Sequence, residues 1–69
     1  MKPGRYIILE KTAFWVNSGF DMLDILEINK DLVIYMYVGD RDEIIRKRHY
    51  VEFIQLRLTP HSPLMEELT

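Results

Sequence analysis

Residues 32–38 read Leu-Val-Ile-Tyr-Met-Tyr-Val, and this run decides the fold class. It combines β-branched and aromatic residues, which predicts a strand. Successive side chains of a strand point to opposite faces, and both faces of this one are apolar or aromatic. Such a strand is expected in the interior of a small curled sheet.

Polar turns flank this run on both sides. Asn29-Lys30-Asp31 precedes it and predicts a compact turn after the apolar segment 21–29. Gly39-Asp40-Arg41-Asp42 follows it and predicts a hairpin loop, in which Gly39 can adopt a positive φ. Residues 43–49 are then expected to form a fourth strand.

Residues 21–29 fit two structures. The residues that fit a strand with one irregularity are Met22, Leu23, Ile25, Leu26 and Ile28. The residues that fit a short helix are Phe20, Leu23 and Leu26, with Ser18 or Asp21 as its cap. The polar turn that follows favours the strand. A helix at residues 20–28 would give an α+β fold instead.

The two ends of the chain predict further strands. Residues 5–11 are rich in aromatic and β-branched types and predict the first strand, and 12–20 predict a long loop. Residues 50–53 break the alternation and predict a single 3₁₀ turn. Residues 54–59 alternate with period two and predict the last strand. The residues expected on one face of that strand are Ile54, Leu56 and Leu58.

This order of elements resembles the small SH3-like barrels over residues 3–60. The run Tyr50-Val51-Glu52-Phe53-Ile54-Gln55-Leu56 is similar to the aromatic turn and strand that end many such barrels. The first strand and loop resemble the photosystem I subunit IV group of these barrels. The residues that carry this second likeness are Ile8, Leu9, Phe14, Trp15, Asn17 and Gly19. The basic character of that group is absent, so only its fold is carried over.

The resemblance implies an all-β fold, a five-stranded SH3-like barrel over residues 1–60. Residues 61–69 are expected to form a C-terminal tail, in which Ser62 and Pro63 could begin a short helix.

Composition indicates one small globular domain. The chain has 69 residues, of which 48% are hydrophobic and 29% charged, so a core is possible but its stability should be modest. Without cysteine, neither a disulfide nor a thiolate metal site can stabilise it. No apolar run approaches the roughly 20 residues that span a bilayer. A cytoplasmic protein without a membrane partner is therefore expected.

Catalytic and metal-binding motifs are weak. The two histidines, His49 and His61, lie far apart in the sequence and have no cysteine to complete a zinc site. Asp40, Asp42 and Glu43 resemble the start of a calcium loop, but the remaining ligands are missing. We therefore expect a non-enzymatic protein with no catalytic residue, no metal site and no cofactor.

The basic residues are concentrated in one predicted strand. Residues 21–43 contain seven acids and two bases, a net charge of −5, and Arg46-Lys47-Arg48-His49 follows them. Alternation places Arg46 and Arg48 on one face and Lys47 and His49 on the other. Three interpretations of this basic strand stay open: a solvated face, a contact for an acidic protein partner, or a nucleic-acid site. In the nucleic-acid interpretation, the binding residues would be Arg46, Lys47, Arg48 and Tyr50. The net charge of the chain, −2, weighs against nucleic acid.

Four aromatic residues are candidates for an interaction surface. Phe14 and Trp15 are adjacent, so one should enter the core and the other can be exposed, unless both cover the open end of the barrel. Tyr35 and Tyr37 share one face of their strand. They lie either outside the sheet, where they would form an exposed patch with Trp15, or beneath the first loop.

These patterns predict a non-catalytic protein-interaction module or a small accessory or regulatory subunit, for which a phage or mobile-element origin would fit. An aromatic patch of Trp15, Tyr35 and Tyr37 would bury apolar area, and Arg46 and Arg48 would set the register. The alternatives are a nucleic-acid-binding barrel and a homodimer formed through a sheet edge or the tail.

Overall fold

The structure, a computed structural model, describes residues 1–61 of the chain. It contains strands β1 (Gly4–Glu10), β2 (Met22–Asn29), β3 (Leu32–Tyr37) and β4 (Arg46–His49), a one-turn helix α1 (Tyr50–Phe53) and strand β5 (Arg57–Pro60). The strands form one antiparallel sheet in the order β4-β3-β2-β1-β5. The all-β prediction is confirmed. The predicted helix that begins at Ser62 lies outside the described residues.

Pairing runs through the sheet from β4 at one edge to β5 at the other. The longest ladder joins β2 to β3, and its last pair, Asn29 with Leu32, leaves a two-residue turn in which Lys30 has a φ of 55°. Strand β3 is paired on both sides, as its two apolar faces predict. The following loop begins at Val38, and Gly39 takes a φ of 94° there. This backbone conformation is unfavourable for residues that carry a side chain.

One face of the sheet carries the core. The buried residues alternate along β1 and β3, as expected when one face of a strand is covered. They are Tyr6, Ile8, Leu23, Ile25, Val33, Tyr35, Tyr37, Phe53 and Leu56. Phe53 belongs to α1 and is completely buried, so the helix turn covers this face of the sheet. Burial of each such side chain contributes roughly 1.5–3 kcal/mol.

A β-bulge explains why residues 21–29 resemble a helix in sequence. The pairing of β2 with β3 shifts between Ile25 and Glu27, so Leu26 is an extra residue without a partner. Leu26 is exposed, whereas Leu23 and Ile25 are buried. One inserted residue breaks the period of two and brings apolar residues into a spacing that a helix also uses. The predicted irregular strand is confirmed, and the helix is wrong.

The fourth strand begins later than predicted. The sequence predicts a strand over 43–49, but β4 starts at Arg46 because Glu43 has a φ of 49°. The Asp40 carboxylate accepts hydrogen bonds from the backbone N–H of Asp42 at 3.1 Å and of Ile44 at 3.4 Å. This aspartate therefore extends the loop at the expense of the strand.

The turn before the last strand also differs from the prediction. Residues 50–53 form an α-helical turn, in which Ile54 N–H donates to the Tyr50 carbonyl at 3.0 Å. His49 caps it, since its Nδ1 accepts from the Val51 N–H at 3.3 Å. The turn continues to Leu56, so the predicted strand over 54–59 is wrong at its start. Ile54 is exposed, Leu56 is buried within the turn, and Leu58 lies on β5.

Candidate interaction site

The first loop presents one aromatic residue to solvent and places its neighbour against the core. The backbone N–H of Val16 donates to the Ala13 carbonyl at 3.1 Å, which puts Phe14 and Trp15 in the middle of a turn. The Phe14 residue is 89% exposed, while Trp15 packs against the core. The sequence predicts that one member of the pair enters the core; Trp15 turns toward the core and packs against it but stays half-buried. The alternative in which both cover the core is wrong for Phe14.

Trp15 covers the aromatic part of the core. Its ring stacks on Phe53 with centroids 5.5 Å apart and meets the edge of Tyr35 at 5.9 Å. Tyr35 in turn contacts Phe53 at 5.1 Å. Aromatic pairs in these arrangements contribute about 0.5–1.5 kcal/mol beyond the area that they bury. Trp15 therefore holds the loop down on β3 and α1.

Tyr35 and Tyr37 lie beneath the first loop. Only 2% of Tyr35 and 1% of Tyr37 is exposed, so the predicted exposed patch of Trp15, Tyr35 and Tyr37 is wrong. Phe20 stacks on the Tyr37 ring at 5.0 Å, and the Tyr37 hydroxyl accepts from the backbone N–H of Asn17 at 2.9 Å. A phenol can bury its ring when its hydroxyl finds a partner in the loop.

The side chains of Arg46 and Arg48 pack against this aromatic cluster. Arg46 pairs with Tyr35 and Arg48 with Val33 across the ladder, so both side chains lie on the core face. The Arg48 guanidinium carbon lies 5.0 Å from the Trp15 ring centroid, and that of Arg46 lies 5.4 Å from the Tyr37 centroid. Lys47 and His49 are exposed on the other face. The predicted division of β4 is confirmed.

Within the described residues, few negatively charged groups lie near the two arginines. Among residues 1–61, one carboxylate lies within 4.0 Å of them: Glu52, at 3.5 Å from Arg48. The Nε atoms of both arginines, and Nε1 of Trp15, are buried without a hydrogen-bond partner. The cation–π contacts offset only part of this desolvation, at about 0.5–2 kcal/mol each. An external acceptor cannot reach the buried Nε atoms, so it would bind the part of each guanidinium that stays exposed; the Arg48 side chain is 31% exposed.

We call Phe14, Arg46 and Arg48 the arginine–aromatic surface. Trp15 lies next to both parts of this surface: Phe14 precedes it in the turn, and the Arg48 guanidinium lies over its ring. Of the predicted protein-binding residues, the structure brings Arg46 and Arg48 together at the surface and buries Tyr35 and Tyr37. Trp15 is half-buried. The sequence predicts Trp15 instead of Phe14 as the binding residue, because nothing in the pair itself indicates which ring turns inward.

The predicted nucleic-acid residues do not share a face. Lys47 lies opposite Arg46 and Arg48 on β4. Tyr50 is half-buried, packs against the core and begins α1. A phosphate backbone following one face of the strand would therefore meet two of the four predicted residues, Arg46 and Arg48.

Burial raises the pKa of Tyr35 from 10.0 to about 12; the nearby Tyr37 adds to this shift, and Arg48 opposes it. The folded state thus favours the neutral phenol. This contribution to stability is complete below pH 10 and is lost as the pH rises through about 12. It amounts to at most roughly 2–3 kcal/mol.

We expect urea unfolding to show about half of this loss of free energy, roughly 1–1.5 kcal/mol, between neutral pH and about pH 11 in the wild-type protein. Tyr35→Phe is the control, because it keeps the ring and removes the titrating hydroxyl. The difference in unfolding free energy between the two proteins should change with pH. A difference that stays constant over this range would contradict the effect of burial on Tyr35.

Comparison with protein-family models, with curated proteins and with solved structures finds no match for this chain. Within residues 1–61, no helix has the length and apolar character needed to cross a membrane. The same residues contain no group of three or more His, Cys, Asp or Glu side chains arranged to hold a metal ion.

Proposed function

We propose that this chain is a non-catalytic protein-interaction module that binds its partner through the arginine–aromatic surface. The observation that carries the proposal is the exposure of Phe14, 89% of which meets solvent on a turn held by Trp15. A large apolar side chain on a fixed turn gains free energy when a partner covers it, and little entropy is lost because the turn is already ordered.

The arginines supply specificity to the same surface. Each guanidinium is held against an aromatic ring, so less conformational freedom is lost when it binds a carboxylate. Charge-assisted hydrogen bonds to such groups are about twice as strong as neutral ones. Protein is favoured over nucleic acid because the chain carries a net charge of −2 and Lys47 lies on the other face.

We further propose that the sheet belongs to the SH3-like class. Support comes from the strand order, with β5 beside β1, the long first loop and the helical turn that precedes β5. A role as a small accessory or regulatory subunit in the cytoplasm, and a phage or mobile-element origin, stay predictions from the sequence. The homodimer also stays a prediction.

Phe14→Ala tests this proposal. We expect the change to leave the free energy of unfolding within about 0.5 kcal/mol, because the side chain is exposed. Capture of a protein partner by the tagged chain from a lysate of its source cells should fall by at least about tenfold. Val51→Ala is the matched control, since Val51 is 56% exposed on α1 and lies outside the arginine–aromatic surface.

Nuclease and high salt extend this test. A protein partner bound by an apolar anchor should survive nuclease and lose only part of its binding at high salt. Recovery that disappears with nuclease and falls steeply with salt would favour nucleic acid instead. Equal capture by the wild-type protein and Phe14→Ala would contradict the proposed surface.

A further inference from the structure

We propose that strand β4 binds an extended acidic segment of the partner, which adds to the sheet as a sixth strand. This inference rests on the proposed function and names the kind of partner that the arginine–aromatic surface fits. Three features carry it: β4 is a sheet edge, its outward backbone groups can be assigned, and all four of its residues are basic types.

The free edge of β4 has an identifiable set of backbone groups. The N–H of Tyr50 donates to the Asp31 carbonyl at 2.6 Å, and this pair continues the register of Leu32 with His49. Hydrogen-bonded and non-hydrogen-bonded pairs alternate in an antiparallel ladder. The backbone of Arg46 and Arg48 therefore faces β3. The N–H and C=O groups of Lys47 and the N–H of His49 face outward, where the described sheet has no further strand. The carbonyl of His49, at the N-cap position, accepts the first hydrogen bond of α1 instead.

The charges of β4 select an acidic occupant. Arg46, Lys47 and Arg48 are cationic, so a second copy of β4 added in either direction would set like charges against one another. Self-association through this edge is thus disfavoured. An incoming strand with carboxylates instead meets charges that Glu52 matches only in part.

The geometry also sets the spacing of the acidic residues. Arg46 and Arg48 are two residues apart on one face, so their backbones are separated by roughly 6.6 Å along the strand. Carboxylates at alternate positions of an added strand have the same separation and lie on the same face. Ile45 precedes Arg46 and is 61% exposed, which leaves an apolar contact for the end of the segment.

Synthetic peptides test strand addition without knowledge of the natural partner. The probe is a blocked peptide, Thr-Glu-Val-Glu-Thr-Val-Thr, with glutamates at alternate positions. Two matched peptides accompany it: one with glutamine in place of both glutamates, and one with N-methyl groups on alternate backbone nitrogens. Binding is followed by the fluorescence of Trp15, the one tryptophan of the chain, which Arg48 contacts.

The acidic peptide should bind at least about tenfold more tightly than either matched peptide, since one lacks the charges and the other lacks backbone donors. Amide hydrogen exchange at Lys47 and His49 should slow in the complex. The double variant Arg46→Glu with Arg48→Glu should lose the acidic peptide. Arg57→Glu, at the opposite edge of the sheet, should retain it.

Several outcomes would overturn the inference. Equal binding of the N-methylated peptide would show charge attraction without strand addition, and equal binding of the glutamine peptide would exclude acidic selection. These comparisons use the wild-type protein, so they hold even where the double variant fails to fold. Absence of peptide binding together with Phe14-dependent capture of a protein would refute the inference and leave the proposed function intact. Peptide binding together with capture that does not depend on Phe14 would support strand addition at β4 and contradict the proposed role of Phe14.

Discussion

Replacing Phe53 with alanine is expected to lower the free energy of unfolding by about 3–5 kcal/mol. Phe53 is completely buried and contacts both Trp15 and Tyr35, so its removal leaves a cavity between α1, the first loop and β3. A domain of this size has a total stability of roughly 3–10 kcal/mol. The Phe53→Ala change should therefore remove a large part of the total stability and lower the urea midpoint accordingly.

Urea denaturation followed by circular dichroism measures this effect. Phe53→Leu is the control, because it keeps most of the volume and should cost less than the alanine change. A loss below about 1 kcal/mol for Phe53→Ala would mean that the helix turn does not complete the core, contrary to the packing described above.

Trp15→Ala is expected to have the second largest effect, a loss of about 2–4 kcal/mol. The indole stacks on Phe53, meets the edge of Tyr35 and carries the Arg48 guanidinium on its face. Since it is half-buried rather than fully buried, the cost should fall below that of Phe53→Ala. Partner binding should fall as well, because the turn that presents Phe14 is no longer held.

The adjacent residue provides the control for this change. Phe14→Ala should affect binding while leaving stability nearly unchanged, although the two side chains are neighbours in the sequence. Comparison of thermal unfolding for the two variants separates the roles. If Trp15→Ala abolished capture without loss of stability, Trp15 would be the binding residue that its sequence context first suggested.

The sequence predicts those strands whose residue pattern depends only on neighbouring positions in the chain. The run from Leu32 to Tyr37 and its two flanking turns are found where the alternation and the polar residues place them. The division of β4 into an Arg46 and Arg48 face and a Lys47 and His49 face is likewise a consequence of the period of two. These features need no knowledge of the rest of the fold.

Features that depend on tertiary contacts were not predictable. Alternation shows that Tyr35 and Tyr37 share a face but not that the first loop crosses it. The bulge at Leu26 changes the period without a glycine or proline to signal it. Likewise, the pair Phe14 and Trp15 carries no local mark of which ring turns inward. That choice depends on the space beside Phe53, contributed by a distant part of the chain.

Photocrosslinking at position 14 tests the proposed interaction surface most directly. Benzoylphenylalanine is placed at position 14, or at position 51 as the exposed control, and irradiated in a lysate of the source cells treated with nuclease. We expect one protein adduct from position 14, none from position 51, and loss of the adduct when Arg46→Glu and Arg48→Glu are added. Adducts from position 51 alone, or an adduct from position 14 that persists in the double arginine variant, would contradict an interface built on Phe14, Arg46 and Arg48.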